Sequence, residues 1–161
     1  MGKSIEELEN DFWGEPGETT GLVKKVYKLR KKHTNQFTIE DLRFMISQDV
    51  GTQYLMPRAL GLLEQNPLIW DLLYPGELLN AVLILPDKYW QSQPVHLKRT
   101  LRMLKMAEQQ ISAELMEQKA QREGRTGWYA NEKPYKADFG EEMNEKLLTS
   151  VQEFLSKHQA D

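Results

Sequence analysis

Histidines and glycine-bearing turns are the features of this chain that metal or phosphate chemistry would need, but their spacing assembles no site. The three histidines, His33, His96 and His158, are far apart, and none lies in a Glu-x-x-His or His-Glu-x-x-His pattern. Such patterns place two metal ligands on adjacent helical turns. Neither a Gly-x-Ser-x-Gly elbow nor a Gly-x-x-x-x-Gly-Lys loop occurs. The sequence therefore predicts no metal site and no cofactor.

Neighbouring acids are the remaining candidates for general acid–base catalysis. Three pairs occur: Glu6/Glu7, Glu40/Asp41 and Glu141/Glu142. Adjacent residues on a helix point about 100° apart, so the two carboxylates of a pair do not address one substrate atom. Acids at a helix start interact favourably with the positive end of the helix dipole, which explains their positions without catalysis. We expect no enzyme, although an active site assembled from residues distant in sequence stays open.

The bulk composition limits the class of protein. The chain has 161 residues, which is enough for one domain with its own core. It has no cysteine, which favours a reducing compartment. Its longest apolar run, Ala81 to Leu85, is far shorter than the roughly 20 residues that span a bilayer. We therefore expect a cytoplasmic protein that does not cross a membrane.

Charge alternates in blocks along the chain, although the formal net charge is only −3. Residues 1–20 carry six acids against Lys3, while residues 21–36 carry six basic residues and no acid. A second basic set follows at helical spacing: Lys98, Arg99, Arg102 and Lys105. Because acidic blocks flank both sets, phosphate binding is expected to be weak. We expect no direct contact with nucleic acid, and a weak nucleic-acid-binding helical protein stays an alternative.

Helix signals run through nearly the whole chain. Ser4 and Glu7 form a capping box that predicts a first helix to about Phe12. Thr19 or Thr20 is expected to cap a second helix, and Thr38 with Asp41 marks the start of a third. Later starts are marked by Gly51, Pro75, Pro86 and Pro94. The short apolar segment Leu68 to Tyr74 is interpreted as a helical turn or a buried loop.

Two later helices carry the clearest apolar faces. The long helix after Pro94 has a heptad-like seam with Glu108 in the missing position: Leu97, Leu101, Leu104, Ile111 and Leu115. The last helix has one apolar face: Leu147, Leu148, Val151, Phe154 and Leu155. No alternation of period two persists, so we predict an all-α fold, a single-domain irregular helical bundle over residues 1–161.

Several short signatures, taken in order, resemble the immunity proteins of bacterial contact-dependent growth inhibition (CDI) systems. They are Ser4-Ile-Glu-Glu-Leu-Glu-Asn-Asp-Phe-Trp-Gly14, Phe37-Thr-Ile-Glu-Asp-Leu-Arg43, Leu63-Glu-Gln-Asn-Pro-Leu68 and Tyr74-Pro-Gly76. The resemblance covers roughly residues 3–95. It separates a family-like helical core, residues 1–111, from residues 112–161, which hold the end of the long helix, an aromatic loop at 124–140 and the C-terminal helix.

The resemblance implies an immunity protein that binds and neutralises the cognate C-terminal toxin domain of a CDI effector, with a nuclease as the expected toxin. A nuclease attracts phosphate with positive charge, so acidic surfaces that include aromatic side chains are the expected partner-binding surfaces. The candidate residues are Glu15, Asp71, Tyr74, Glu77, Trp128, Tyr129, Glu132 and Tyr135. A helical adaptor that binds a partner other than a toxin stays the alternative.

Overall fold

The computed structural model describes residues 2–124 and 137–159, without the side chains of residues 137–139. This part of the chain forms α-helices and one short 3₁₀-helix (Thr34–Gln36), and no strand. The helices are α1 (Ile5–Glu9), α2 (Gly21–Lys31), α3 (Ile39–Ser47), α4 (Thr52–Gln65), α5 (Glu77–Leu83), α6 (Asp87–Ser92), α7 (Pro94–Glu123) and α8 (Ala137–His158). The all-α prediction is confirmed for the described residues.

The chain divides into two compact units, residues 1–99 and residues 100–161. The first unit contains α1 to α6 and the first residues of α7, and the second contains the rest of α7 and α8. The boundary thus falls inside a helix. A single domain over residues 1–161 stays a prediction.

Side-chain caps fix the helix starts that position the first unit. The Ser4 hydroxyl accepts from the backbone N–H of Glu7, whose carboxylate accepts in turn from the N–H of Ser4. Thr38 and Asp41 form the same reciprocal pair at the start of α3. Thr20 caps α2, so these predicted starts are confirmed. Each such cap satisfies backbone donors that have no partner inside the helix.

Helix α3 lies against both α4 and α5 in the first unit. Of its apolar stripe Ile39, Leu42, Met45 and Ile46, the last three residues are fully buried and Ile39 is partly buried. Gly51, just before α4, has a left-handed φ of 63°, and a Cβ there would come within 2.6 Å of the Ile5 side chain. A glycine is needed at this turn because it allows both the backbone conformation and the close packing of α1.

Two predictions in the first unit were wrong. Helix α1 ends at Glu9 rather than near Phe12, because Asn10 takes the left-handed conformation, with φ 51°, and ends the helix. The segment from Leu68 to Tyr74 is neither a helix nor buried as a whole, since Leu68 is buried but three later apolar side chains are exposed. Both segments therefore present apolar side chains to solvent.

The buried face of α7 is rotated relative to the predicted seam. Its buried residues are Thr100, Met103, Leu104, Ala107, Ile111 and Leu115. Leu97 and Leu101 are only partly buried, and Ala107 rather than Glu108 occupies the gap in the seam. An α-helix has 3.6 residues per turn, so its buried positions drift away from a strict seven-residue repeat.

In the second unit, α8 lies antiparallel to the end of α7. Arg122 Nη1 is 2.9 Å from Glu141 Oε1, and Gln152 Nε2 donates to Glu108 Oε1 at 3.1 Å. The predicted apolar face of α8 is confirmed, with Leu148 partly exposed and four residues buried: Leu147, Val151, Phe154 and Leu155.

Candidate functional site

The segment after α1 forms the first candidate surface, which we call the N-terminal surface (residues 11–15). Arg30 of α2 is 1% exposed and holds this segment in place. Its guanidinium donates to Glu9 Oε2 at 2.6 Å and to the backbone carbonyl of Asp11 at 2.9 Å. It also lies 3.9 Å from the centre of the Trp13 ring. A buried arginine with these partners fixes the segment, while the Phe12 and Trp13 rings stay exposed.

Glu15 lies at the open end of the N-terminal surface. Its side chain is 86% exposed, and its carboxylate accepts from Lys31 Nζ at 2.6 Å. This hydrogen bond raises the pKa of Lys31 above its ordinary value. An ion pair this exposed contributes little to stability, so Glu15 is free to exchange Lys31 for a cation of a partner.

The basic block of residues 21–36 is largely neutralised by acids of the same unit. Four of its six basic residues form ion pairs: Lys25 with Glu40, Arg30 with Glu9, Lys31 with Glu15, and Lys32 with Asp41. In the second basic set, Arg99 is paired with Glu64. Acids of the same unit thus offset part of the positive charge of both basic sets.

The second candidate surface is the connection loop, residues 66–76, which joins α4 to α5. It is organised by Glu77, which is 1% exposed. One carboxylate oxygen accepts from the backbone N–H groups of Asp71 and Leu72 at 2.8 and 3.2 Å, and the other accepts from that of Leu73 at 3.1 Å. Arg43 Nε lies 3.6 Å from the second oxygen and balances its charge. Three successive N–H groups thus form a nest around this side chain.

Further hydrogen bonds close the connection loop. The N–H of Gly76, whose φ is 86°, donates to the carbonyl of Leu68 at 3.2 Å. The Tyr74 hydroxyl accepts from Asn80 Nδ2 at 3.3 Å. The loop backbone is therefore tied to α5, while three of its large apolar side chains point to solvent: Trp70 is 50% exposed, Leu72 65% and Leu73 52%.

Metal-ligating side chains are not clustered in the part of the chain that the structure describes. No three His, Asp or Glu side chains there are placed to hold a metal ion. Tyr89 Oη and His96 Nδ1 are 2.7 Å apart, but burial lowers the pKa of His96 and raises that of Tyr89. The two side chains form a hydrogen bond between α6 and the start of α7. None of the described helices is long and apolar enough to span a bilayer.

A model of a protein family described as CDI immunity proteins matches residues 7–100, more than half of the 161 residues. The chain belongs to the CDI immunity protein family. Neither a curated protein nor a solved structure matches it. The resemblance drawn from the short signatures is thus confirmed, and both candidate surfaces lie within the matched range.

A CDI immunity protein binds the cognate CDI toxin and inhibits it without enzymatic activity. Of the residues predicted to contact the partner, this CDI immunity protein brings Asp71, Tyr74 and Glu77 together at the connection loop. Asp71 is exposed and Tyr74 partly exposed, but Glu77 is buried and acts on the loop from inside. Glu15 lies on the N-terminal surface. The other predicted residues lie outside the described residues: Trp128, Tyr129, Glu132 and Tyr135.

The exposure of Trp70, Leu72 and Leu73 was not predicted from the sequence. Their segment is a short apolar run between two turn signals, Asn66-Pro67 and Pro75-Gly76, and it has no period of either helix or strand. Apolar runs of this length are usually buried, so the pattern alone favours a core segment. One feature of the sequence could have indicated an ordered loop. Glu77 follows directly after the turn Pro75-Gly76, where its carboxylate can accept from backbone N–H groups of the preceding residues.

Proposed function

We propose that this CDI immunity protein neutralises a nuclease toxin domain in the cytoplasm by covering the positively charged surface with which the toxin holds its nucleic acid. Binding of a CDI toxin follows from membership of the family. Cleavage of a nucleic acid requires that the toxin attract phosphate groups, and its binding surface is therefore basic. An inhibitor of such an enzyme needs exposed carboxylates beside side chains able to anchor the contact.

The observation that carries this proposal is the pairing of exposed acids with exposed aromatic rings on the N-terminal surface. The Asp11 and Glu15 side chains are 62% and 86% exposed, and the Phe12 and Trp13 rings are exposed beside them. Asp71 provides another exposed carboxylate, on the connection loop. Exposed charges of one sign speed the encounter with a partner of the opposite sign, and aromatic rings slow its release.

Charge reversal tests the electrostatic part of the proposal. We expect Glu15→Lys and Asp71→Lys each to slow association with the cognate toxin domain several-fold, on the order of threefold to tenfold, and to flatten its dependence on salt. The measurement is surface plasmon resonance at several ionic strengths. Glu114→Lys is the matched control, because it makes the same charge change at an exposed position outside the matched range. Equal rates for all three variants and the wild type would contradict the proposal.

The chemical class of the toxin is tested separately. The purified toxin domain is incubated with RNA and with DNA while this immunity protein is added in increasing amounts. We expect cleavage of one of the two, and its loss once the immunity protein equals the toxin in concentration. A toxin domain that kills cells but cleaves neither nucleic acid overturns the nuclease assignment without affecting the binding of the toxin.

A further inference from the structure

We infer that the connection loop is the apolar anchor of the toxin contact, and that Trp70, Leu72 and Leu73 enter an apolar pocket of the toxin domain that is flanked by a positive charge. This inference deepens the proposed function and rests on its toxin binding. Glu77 and Arg43 are positioning residues in this account, because they hold the loop in its binding conformation without touching the toxin.

The exposure of three large apolar side chains within four residues is the first argument. Each of these residues is half or more exposed: Trp70 50%, Leu72 65% and Leu73 52%. Single exposed apolar residues are common on protein surfaces, but clustered ones mark interaction sites. Tryptophan in particular is enriched among the residues that dominate the energy of an interface.

The rigidity of the loop is the second argument. Its exposed tip is held by a buried carboxylate that accepts three backbone N–H groups, at 2.8, 3.2 and 3.1 Å. Burying a carboxylate is costly in free energy unless it is hydrogen-bonded and paired with a cation, and Arg43 provides the paired cation. A loop fixed in this way loses little conformational entropy when a partner binds, so its apolar side chains act as a preorganised anchor.

The charge of the connection loop indicates which molecule binds its apolar side chains. Asp71 is the only charged residue of the loop and is exposed between Trp70 and Leu72. A symmetric contact with a second copy of this chain would bring like surfaces, and the two Asp71 carboxylates, towards each other. A basic toxin surface offers the opposite charge, and like charges brought together in an interface disfavour the alternative. The observations therefore favour the toxin domain over a homodimer.

Dissociation of the complex with a catalytically inactivated cognate toxin domain is the test. We expect Trp70→Ala to speed dissociation about 30-fold or more and Leu72→Ala about fivefold to tenfold, with association little changed. Ile84→Ala is the matched control, because Ile84 is an aliphatic residue of the same unit with a similar exposure, 61% against 65% for Leu72. All three side chains are exposed, so each variant is expected to fold, which circular dichroism verifies.

Glu77 is tested by a double-mutant cycle. If Glu77 holds the loop for binding, the effect of Leu72→Ala on dissociation becomes smaller in a Glu77→Gln background than in the wild type. A purely structural role would leave the two effects additive. Hydrogen exchange provides a readout without toxin: the amides of residues 71–73 are expected to exchange at least about tenfold faster in Glu77→Gln, with little change in α4.

The outcomes separate the two proposals. Faster dissociation for Trp70→Ala and Leu72→Ala but not for Ile84→Ala supports the anchor. Wild-type rates for both loop variants overturn it while leaving toxin binding intact. Self-association of the wild type that Trp70→Ala abolishes, in place of any effect on the toxin, overturns it in favour of a homodimer. A wild-type protein that binds no cognate toxin domain overturns the proposed function and this inference together.

Discussion

Arg43 shows how single residues join the separate elements of the first unit. Its guanidinium donates twice to Glu40, from Nε at 2.8 Å and from Nη2 at 2.7 Å, within α3. The same Nε lies 3.6 Å from Glu77 at the start of α5. One cation therefore balances an acid of its own helix and the buried acid that holds the connection loop.

The pKa of Glu40 predicts an acid dependence of stability. The hydrogen bonds from Arg43 lower this pKa below its ordinary value of 4.5, helped by Lys25 and opposed by burial. A carboxyl whose pKa is lower in the folded state stabilises the fold above its unfolded pKa, and this contribution is lost as the pH falls through the folded value. We expect Glu40→Gln to be less stable than the wild type near neutral pH and to lose less stability below about pH 4.5.

Urea unfolding between about pH 7 and pH 3 measures this difference. Glu18→Gln serves as the control, because Glu18 is exposed and forms no ion pair within the described part of the chain. Parallel pH profiles for the wild type and Glu40→Gln would mean that Glu40 does not contribute to the acid dependence.

At the residue scale, caps could be predicted from the sequence and long-range partners could not. Ser4 and Thr38 accept from N–H groups three residues away, so their roles can be inferred from local residue spacing. Arg30 lies in the last turn of α2, where local position indicates only an interaction with the helix dipole, but its partner Glu9 is 21 positions away. Glu77 likewise was expected to meet a toxin, since a single sequence gives no indication that the loop before it folds back onto its carboxylate.

At the scale of elements, the starts of helices were easier to predict than their buried faces. Proline and capping residues set a start through local sterics and hydrogen bonds, as Pro86 and Pro94 do before α6 and in α7. The buried face depends on what packs against a helix. The seam of α7 was therefore predicted from its leucines, whereas the structure also buries the small side chains of Thr100 and Ala107.

Two leucines of α7 test the observed face. Leu104 is fully buried and Leu101 only partly, although they lie on the same helix and the same substitution removes the same atoms. We expect Leu104→Ala to lower the free energy of unfolding by about 2–5 kcal/mol, and Leu101→Ala by less than about half of that. Chemical denaturation measures both. An equal loss of unfolding free energy in the two variants, or a larger loss for Leu101→Ala, would contradict the observed buried face and support the predicted seam.

At the scale of the whole molecule, the alternating charge blocks of the sequence form ion pairs with each other and do not build one large charged face in the described part of the first unit. The acids of residues 1–20 and the basic residues of 21–36 meet in the first unit through Arg30 and Lys31. Family membership could be recognised from short signatures because they include turns and caps that the fold needs. The surface that we propose for the toxin contact could not be recognised, since its exposed apolar side chains have the composition of a core segment.

This CDI immunity protein inhibits its toxin by binding it and not by catalysis. The most direct measurement is the growth of cells in which the cognate toxin domain and this chain are produced from separately controlled promoters, with both amounts quantified. We predict that growth returns only when the immunity protein is at least about equal in number to the toxin, as a tight one-to-one complex requires. Equal killing with and without this chain would contradict the claim, and so would full rescue by far fewer copies than there are toxin molecules.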